Sequence, residues 1–268
     1  MSTQPSAAPR TLTVAGREIA RIGLGTNRLA STSENHAFLR QAVEAGVGMI
    51  DTAHVYTGGD SERAIGEALS PPPGGVVVAT KGGYTGAGSR EALRAQIEQS
   101  LESLRTDAID LYYLHRVDPE TPLEESLGAI GEFREAGKIK EVGISAVDVE
   151  QVEAARKIVP VAAVQNHYNV TDRDSDDVVD YCEKNGIVFV TYYPVKGGDP
   201  PALWEVAEAH RASPAQIKLA WLLRRSPVIL PIPGTLSIEH LRENLGALAI
   251  ELTQGEFEAL APASQSPS

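Results

Sequence analysis

One cysteine, Cys182, stands among the 268 residues, so the chain can form no internal disulfide and build no thiolate metal site. Basic residues are also short. Against 36 Asp and Glu stand 24 Lys and Arg, a formal charge of −12. Nucleic-acid binding needs a basic face, and this balance argues against it. Net charge says nothing about one local pocket, so a site for a phosphorylated cofactor stays open. Long apolar runs are missing too: none is of membrane-spanning length, and the first thirty residues hold no secretory apolar core. A soluble cytoplasmic protein that contacts no membrane is expected. Two catalytic signatures are absent. No H-x-H follows the first apolar run, which disfavours a binuclear metal hydrolase, and no G-x-S-x-G elbow occurs. Cys182 falls inside a helical pattern and reads as core rather than as a nucleophile. No metal is expected.

What is present suits one folded domain over 1–268, with 42% hydrophobic and 22% charged residues. Residues 1–10 and 263–268 are small, polar and Pro-containing and read as frayed. Thr11–Ala20 alternates about Ala15-Gly16 as a short hairpin. Eight apolar runs come next: Ile22–Gly25, Gly48–Asp51, Val76–Lys81, Ile109–His115, Glu141–Ser145, Val161–Gln165, Ile187–Tyr192 and Val228–Ile232. A helical pattern succeeds each. In the clearest, Arg90–Arg105, the residues Leu93, Ile97, Leu101 and Leu104 share one face behind an N-cap at Ser89. Asp199–Leu223 reads as two helices, one more than a bare repeat needs. The runs are continuous, not alternating, which is the mark of parallel strands buried on both faces. Eight strand–helix units of roughly 30 residues each predict an α/β fold, a (β/α)8 TIM barrel with an N-terminal hairpin and one or two extra helices. An open doubly wound sheet is the rival, but GLGTNRLA lacks the third glycine of a dinucleotide fingerprint.

In such a barrel the chemistry belongs at the C-terminal strand ends. Those ends read Asp51, Lys81, His115, Ser145, Gln165 and Tyr192. Singly, Tyr56 reads as a packed aromatic and His115 as a loop histidine. Together with Lys81 and Asp51 they form a constellation: a buried lysine needs an acid partner, and its charge favours the phenolate of a nearby tyrosine, which predicts a lowered Tyr56 pKa and a usable proton donor. Lys81 as a Schiff-base amine is the competing chemistry, opposed by Asp51 keeping it protonated.

The blocks GVGMIDTAHVY with SERAIGEAL, VVVATKGG, DLYYLHRVDP, GKIKEVGIS, AVQNHYN and LPIPGTLSIEHLRENLGAL resemble the aldo-keto reductases in order and spacing, across residues 11–262. HRVDP, VQNHYN and IPGT with HLREN are most similar to branches that include pyridoxal reductases. The resemblance implies NADP(H)-dependent reduction of a small carbonyl substrate, pyridoxal included. It assigns Tyr56 as general acid, Lys81 held by Asp51 as its modulator, and His115 as the group orienting the carbonyl or assisting its protonation. Gly25, Thr26, Asn27 and Asp51 would contact cofactor, Ser145 and Gln165 would hold the nicotinamide carboxamide, and Tyr192 would stack on its ring. Tyr193, Pro194, Val195 and Gly197 would run along the pyrophosphate. Ile232, Gly234, Thr235, His240, Arg242, Glu243 and Asn244 would line the adenosine end, where a helix start near Ser237 suits a 2′-phosphate. Departures from the resembled family stand out: Gly234 and His240 replace a usual lysine and arginine, Ala146 replaces an asparagine, and Tyr193 a serine. His54, Tyr84 and His167 are candidate pocket residues by position. With few residues after the helical stretch Gly255–Leu260, an open and tolerant pocket is expected. A cofactor-binding regulatory protein with negligible turnover is the rival from another class. A monomer is expected.

Overall fold

In a computed structural model the structure describes residues 9–261. Of the segments expected to fray, 1–8 and 263–268 lie outside the described residues. Pro9 and Arg10 depart from that expectation, because Arg21 ties them down: its backbone N–H donates to the Arg10 carbonyl at 3.0 Å and its Nη1 to the Pro9 carbonyl at 2.8 Å.

The hairpin is as read. Strands β1 (Thr11–Val14) and β2 (Arg17–Ala20) pair antiparallel, joined through Ala15 and Gly16 with φ of 50° and 71°, as a two-residue turn matched to strand twist requires. Val14 and Ile19 are buried with Met49, Val77 and Leu111, so the hairpin plugs the N-terminal end of the main sheet.

Eight parallel strands lie side by side in chain order: β3 (Leu24–Gly25), β4 (Met49–Asp51), β5 (Val77–Gly82), β6 (Ile109–Leu114), β7 (Ile139–Ser145), β8 (Val161–His167), β9 (Val188–Tyr192) and β10 (Ile229–Pro231). The ring closes at the β3–β10 seam. There the Gly23 and Gly25 N–H groups donate to the Pro231 and Pro233 carbonyls at 2.9 and 3.3 Å, and Gly25 bridges Gly234. This is the expected (β/α)8 barrel. Alternate strand residues divide between two cores. Met49, Val77, Ala79, Leu111, Tyr113, Ala163, Val190 and Leu230 fill the barrel; Ile50, Val78, Tyr112, Val142, Val164 and Phe189 pack outward against helices. Both faces being buried explains the unbroken apolar runs.

The outer layer comprises α1 (Ser33–Glu44), α2 (Asp60–Leu69), α3 (Arg90–Ser103), α4 (Leu123–Glu135), α5 (Val149–Arg156), α6 (Asp176–Asn185), α7 (Leu203–His210), α8 (Pro214–Arg225), α9 (Ile238–Gly246) and α10 (Gln254–Leu260). Ser89 caps α3 by accepting the Ala92 N–H, and α7 and α10 are the extra helices. Cys182 is buried in α6, and burial pushes its thiol up to about 12, an inert core position. Among the described residues no helix is long and apolar enough to cross a membrane.

One buried cation braces the seam. Arg21, fully buried, donates to the carbonyls of Ile229 at 3.0 Å, Leu223 at 3.2 Å and Ser226 at 2.5 Å, joining the last turn of α8 to the start of β10. Burial lowers its pKa to about 10, which leaves it charged at neutral pH. Arg21→Met strips several buried carbonyls of their donor at once and is expected to cost about 3 kcal/mol. Urea unfolding measures this, and a loss below about 1 kcal/mol would show that those carbonyls find other partners.

Candidate active site

Inward strand parity carries the polar strand ends to one place. Asp51 extends the inward series of Met49, Lys81 that of Val77 and Ala79, and Gln165 that of Ala163, so each faces the C-terminal mouth. Asp51 and Lys81 are 1% and 0% exposed and form an ion pair. The Lys81 ammonium also donates to the Thr52 carbonyl at 2.7 Å, and Gln165 Nε2 donates to the second Asp51 oxygen at 2.8 Å. Burial pulls the Lys81 pKa down, but the charges and hydrogen bonds of Asp51 and Tyr56 more than offset this and hold it above its ordinary value. Burial pushes the Asp51 carboxyl up, against the pull of Lys81 and Gln165.

Tyr56 opens a 3-10 turn, Tyr56–Gly59, between β4 and α2. Its ring centre lies 5.1 Å from the Lys81 ammonium and 5.9 Å from the His115 ring, edge to face. The loop that carries it is closed at its base by buried hydroxyls. Thr52 Oγ1 and Ser61 Oγ are 2.7 Å apart, Ser61 donates to Thr26 Oγ1 at 2.8 Å, and Thr26 donates to the Asp51 carbonyl at 2.9 Å. Thr52 and Ser61 were not legible as site residues, since small hydroxyls beside a loop have no diagnostic spacing.

The direction expected for Tyr56 is corrected by the structure. Burial raises its pKa, and although Lys81 pulls it down, the net direction is up; desolvation of the phenolate wins. Tyr56 therefore keeps its proton at neutral pH while Lys81 stands ready beside it. His115 is neutral: burial, and the charges of Lys81 and Arg116, bring its pKa down to about 3.

These groups open into a cavity of about 710 Å³. Of the expected cofactor residues, Gly25, Thr26, Asn27, Asp51, Ser145, Gln165, Tyr192, Tyr193, Pro194, Val195, Ile232 and Gly234 line it, from the ends of β3, β4 and β7 to β10. Lys81 lies behind Asp51, fully buried. Thr235, His240, Arg242, Glu243 and Asn244 fall beyond this cavity, on the approach to α9 and on the helix itself. Gly197 does too: with φ of 94°, and Thr171 Oγ1 filling the space a Cβ would need, it serves the turn.

Of the three candidate pocket residues, Tyr84 lines the cavity, its ring centre 4.8 Å from that of His115. His167 does not line it. It lies parallel to Tyr192 at 5.6 Å and pairs with Asp172 at 2.9 Å, backing that ring. His54 is also outside, its backbone N–H donating to the Lys81 carbonyl at 2.9 Å. Sequence reasoning missed Arg28, Arg116 and Lys196, which line the cavity. Each adjoins a residue that was singled out (Asn27, His115 and Val195), and that adjacency was the available signal.

The family model described as Aldo/keto reductase family matches residues 21–264. The chain belongs to this family. It is 34% identical to pyridoxine 4-dehydrogenase of Escherichia coli, over 93% of this chain and 96% of the relative. An uncharacterized oxidoreductase of Schizosaccharomyces pombe is 37% identical over 84% of this chain and 77% of its own. An aldo/keto reductase from Klebsiella pneumoniae, solved in complex with NADP and acetate, superposes with a TM-score of 0.86 at 28% identity, over 96% of this chain and 98% of that one. The family, the barrel and the oxidoreductase class expected from the sequence stand.

His115 makes stability depend on pH. With a folded pKa of about 3 against 6.5 for the free group, the unfolded state binds the extra proton between those values, so stability is intact above pH 6.5 and falls as pH drops below it. The slope is about 1.4 kcal/mol per pH unit for this group. Imidazole NMR is expected to show His115 still neutral at pH 5; a midpoint near 6.5 in the folded protein would contradict the burial argument.

Proposed function

We propose that the protein reduces small aldehydes and ketones to alcohols with NADPH, with Tyr56 as the general acid, and that pyridoxal is among its substrates. The observation that carries this reading is the Tyr56 ring set 5.1 Å from the fully buried Lys81 ammonium at the edge of the cavity. Similarity to pyridoxine 4-dehydrogenase supports pyridoxal as a test substrate, and the NADP-bound Klebsiella relative supports the cofactor class.

The residues present fit a nicotinamide. A carboxamide needs an acceptor for its NH₂ and a donor for its carbonyl. Among the described residues, Gln165 uses its NH₂ on Asp51 and leaves its carbonyl oxygen without a side-chain partner, and the Ser145 hydroxyl has none either. Tyr192, backed on one face by His167, turns half-buried toward the cavity. Lys196 and Arg28, lining the walls near Tyr193 and Asn27, suit the pyrophosphate. When bound, the cofactor supplies the hydride to the carbonyl carbon.

The chain's own residues do the rest. Neutral His115 offers an N–H to the carbonyl oxygen and fixes its direction. Tyr56 passes its proton to that oxygen, and the phenolate left behind is stabilised by the Lys81 ammonium. Asp51, Gln165 and the Thr52 carbonyl keep Lys81 in place and charged. Cation pressure from Lys81 thus acts mainly on the ionised product of the proton transfer, not on the resting acid.

At the outer end, α9 starts behind an N-cap, with Ser237 accepting the His240 N–H at 3.2 Å. Free N–H groups there, with His240 and Arg242, suit a 2′-phosphate. Glu239 in the same first turn opposes it. Its carboxyl is held low by the Ser237 hydrogen bond, its own backbone, Arg242 and His240.

Two outcomes are expected. Tyr56→Phe lowers kcat about a thousandfold or more on pyridoxal and a small carbonyl panel, while the NADPH dissociation constant moves little. Retained turnover would remove Tyr56 as the acid. NADPH binding without turnover in the wild type would favour a regulatory protein instead. NADPH is expected to bind roughly tenfold more tightly than NADH, by fluorescence titration; equal constants would show that Gly234, His240 and Glu239 have removed the phosphate preference.

A further inference from the structure

The chain carries a charge of −12, yet its cavity is basic. Among the described residues the one acid lining it, Asp51, is neutralised by Lys81 behind it. Three cations line it, Arg28, Arg116 and Lys196, and among the described residues none of them has an acidic partner within ion-pair distance. Lys196 lies over the Tyr193 ring, 3.5 Å from its centre, on the wall after β9. Arg28 stands on the loop after β3, beside the seam. Both are on the side where the nicotinamide cofactor of the proposed function would leave the barrel. Arg116 is elsewhere. It comes directly after His115 at the end of β6, three strands away from β9 and from β3, and its guanidinium sits 5.6 Å from the centre of the Tyr84 ring. Tyr84 in turn packs on His115, and His115 on Tyr56.

Charge counting then separates the roles. A pyrophosphate carries two negative charges, matched by Arg28 and Lys196, and one cation is left over at the catalytic end. Resting on the proposed reductase activity, we infer that Arg116 is a specificity-determining residue that pairs with a carboxylate carried by the carbonyl substrate a few bonds from its reacting carbon. The preferred substrate class is an aldehyde or ketone acid, favoured over neutral carbonyls of the same size, which are still turned over. Its chain would lie over Tyr84, whose exposed ring offers apolar surface between the proton donor and the guanidinium. A phosphate would offer Arg116 the same kind of oxygen acceptors, so the source of the anion needs its own arm in the test.

Matched substrates decide this. Butanal and succinic semialdehyde differ by a terminal carboxylate, and pyridoxal and pyridoxal phosphate by a phosphate. Steady-state kcat/KM is measured for each with NADPH, in wild type, Arg116→Gln and Arg116→Lys, with Tyr56→Phe as the control for the chemistry. Wild type is expected to prefer succinic semialdehyde over butanal by about tenfold or more. Arg116→Gln is expected to shrink that preference by about ten- to a hundredfold, in KM rather than kcat. Arg116→Lys restores part of it, since a point charge replaces the fork, and raised salt lowers the wild-type preference. A larger response of the pyridoxal phosphate pair would replace carboxylate by phosphate and overturn the class named here. The same preference ratio in wild type and Arg116→Gln, with turnover intact, overturns the inference alone. No turnover of any substrate, or turnover that survives Tyr56→Phe, overturns the reductase reading and this inference with it.

Discussion

Everything at the barrel mouth hangs on the buried pair of Lys81 and Asp51. Two charges without solvent are costly unless each finds every partner it can use. Here each has two hydrogen-bond partners, one of them the other charge: Lys81 has Asp51 and the Thr52 carbonyl, and Asp51 has Lys81 and Gln165. The pair therefore reaches across β4, β5 and β8, three staves of the barrel, and fixes their ends relative to one another. Thr52 is shared further, since its hydroxyl starts the Ser61–Thr26 chain that returns to the Asp51 carbonyl. A single charge pair and three hydroxyls thus clamp the base of the loop on which Tyr56 stands.

The fold makes that clamp available through parity. A strand in a closed parallel ring must bury both faces, one in the barrel and one under helices. The inward face fills with Met49, Val77, Ala79, Leu111 and Tyr113 until the mouth, where the same rows continue as Asp51, Lys81 and His115. Site and core are one series of positions, apolar below and ionisable above. Burial of the upper members comes from the lower ones. This is also why His115 stays neutral and Tyr56 protonated: both border the dry interior, and Lys81 opposes a second positive charge nearby.

The fold was legible because its signal is redundant. Eight apolar runs ended in eight strands, each within a few residues of its expected bounds, and Ser89 capped α3 as its position before Leu93 and Ile97 implied. Asp51, Lys81, His115, Ser145, Gln165 and Tyr192 were legible because each ended such a run. What was not legible depends on depth or on distant partners. The Tyr56 shift ran opposite to expectation because no sequence pattern reports how much water a phenol loses. His167 and His54 were placed by position alone; His167 shares the inward parity of Gln165 but stacks against Tyr192, and neither lines the cavity. Pro9 and Arg10 are held by Arg21, a contact whose other ends lie more than two hundred residues away in α8 and β10.

Backbone strain adds the last constraint on the site. Ala146 and Tyr193 both line the cavity with left-handed backbone, φ of 57° and 55°, a conformation that costs a residue with a Cβ about 1–2 kcal/mol. An asparagine would suit the Ala146 backbone better. The conformation persists because neighbours over-determine it. The Ala146 N–H donates to the Gln165 carbonyl at 3.0 Å, and the Tyr193 carbonyl accepts from the Asn169 side chain at 3.3 Å and the Lys196 N–H at 3.2 Å. Gln165 is also the residue that steadies Asp51. The strained turn after β7 and the buried pair at β4 and β5 therefore meet in one residue, whose backbone holds the turn and whose side chain holds the carboxylate. Relaxing the turn would loosen the clamp beneath Tyr56, so here the strained backbone is tied to the site it borders.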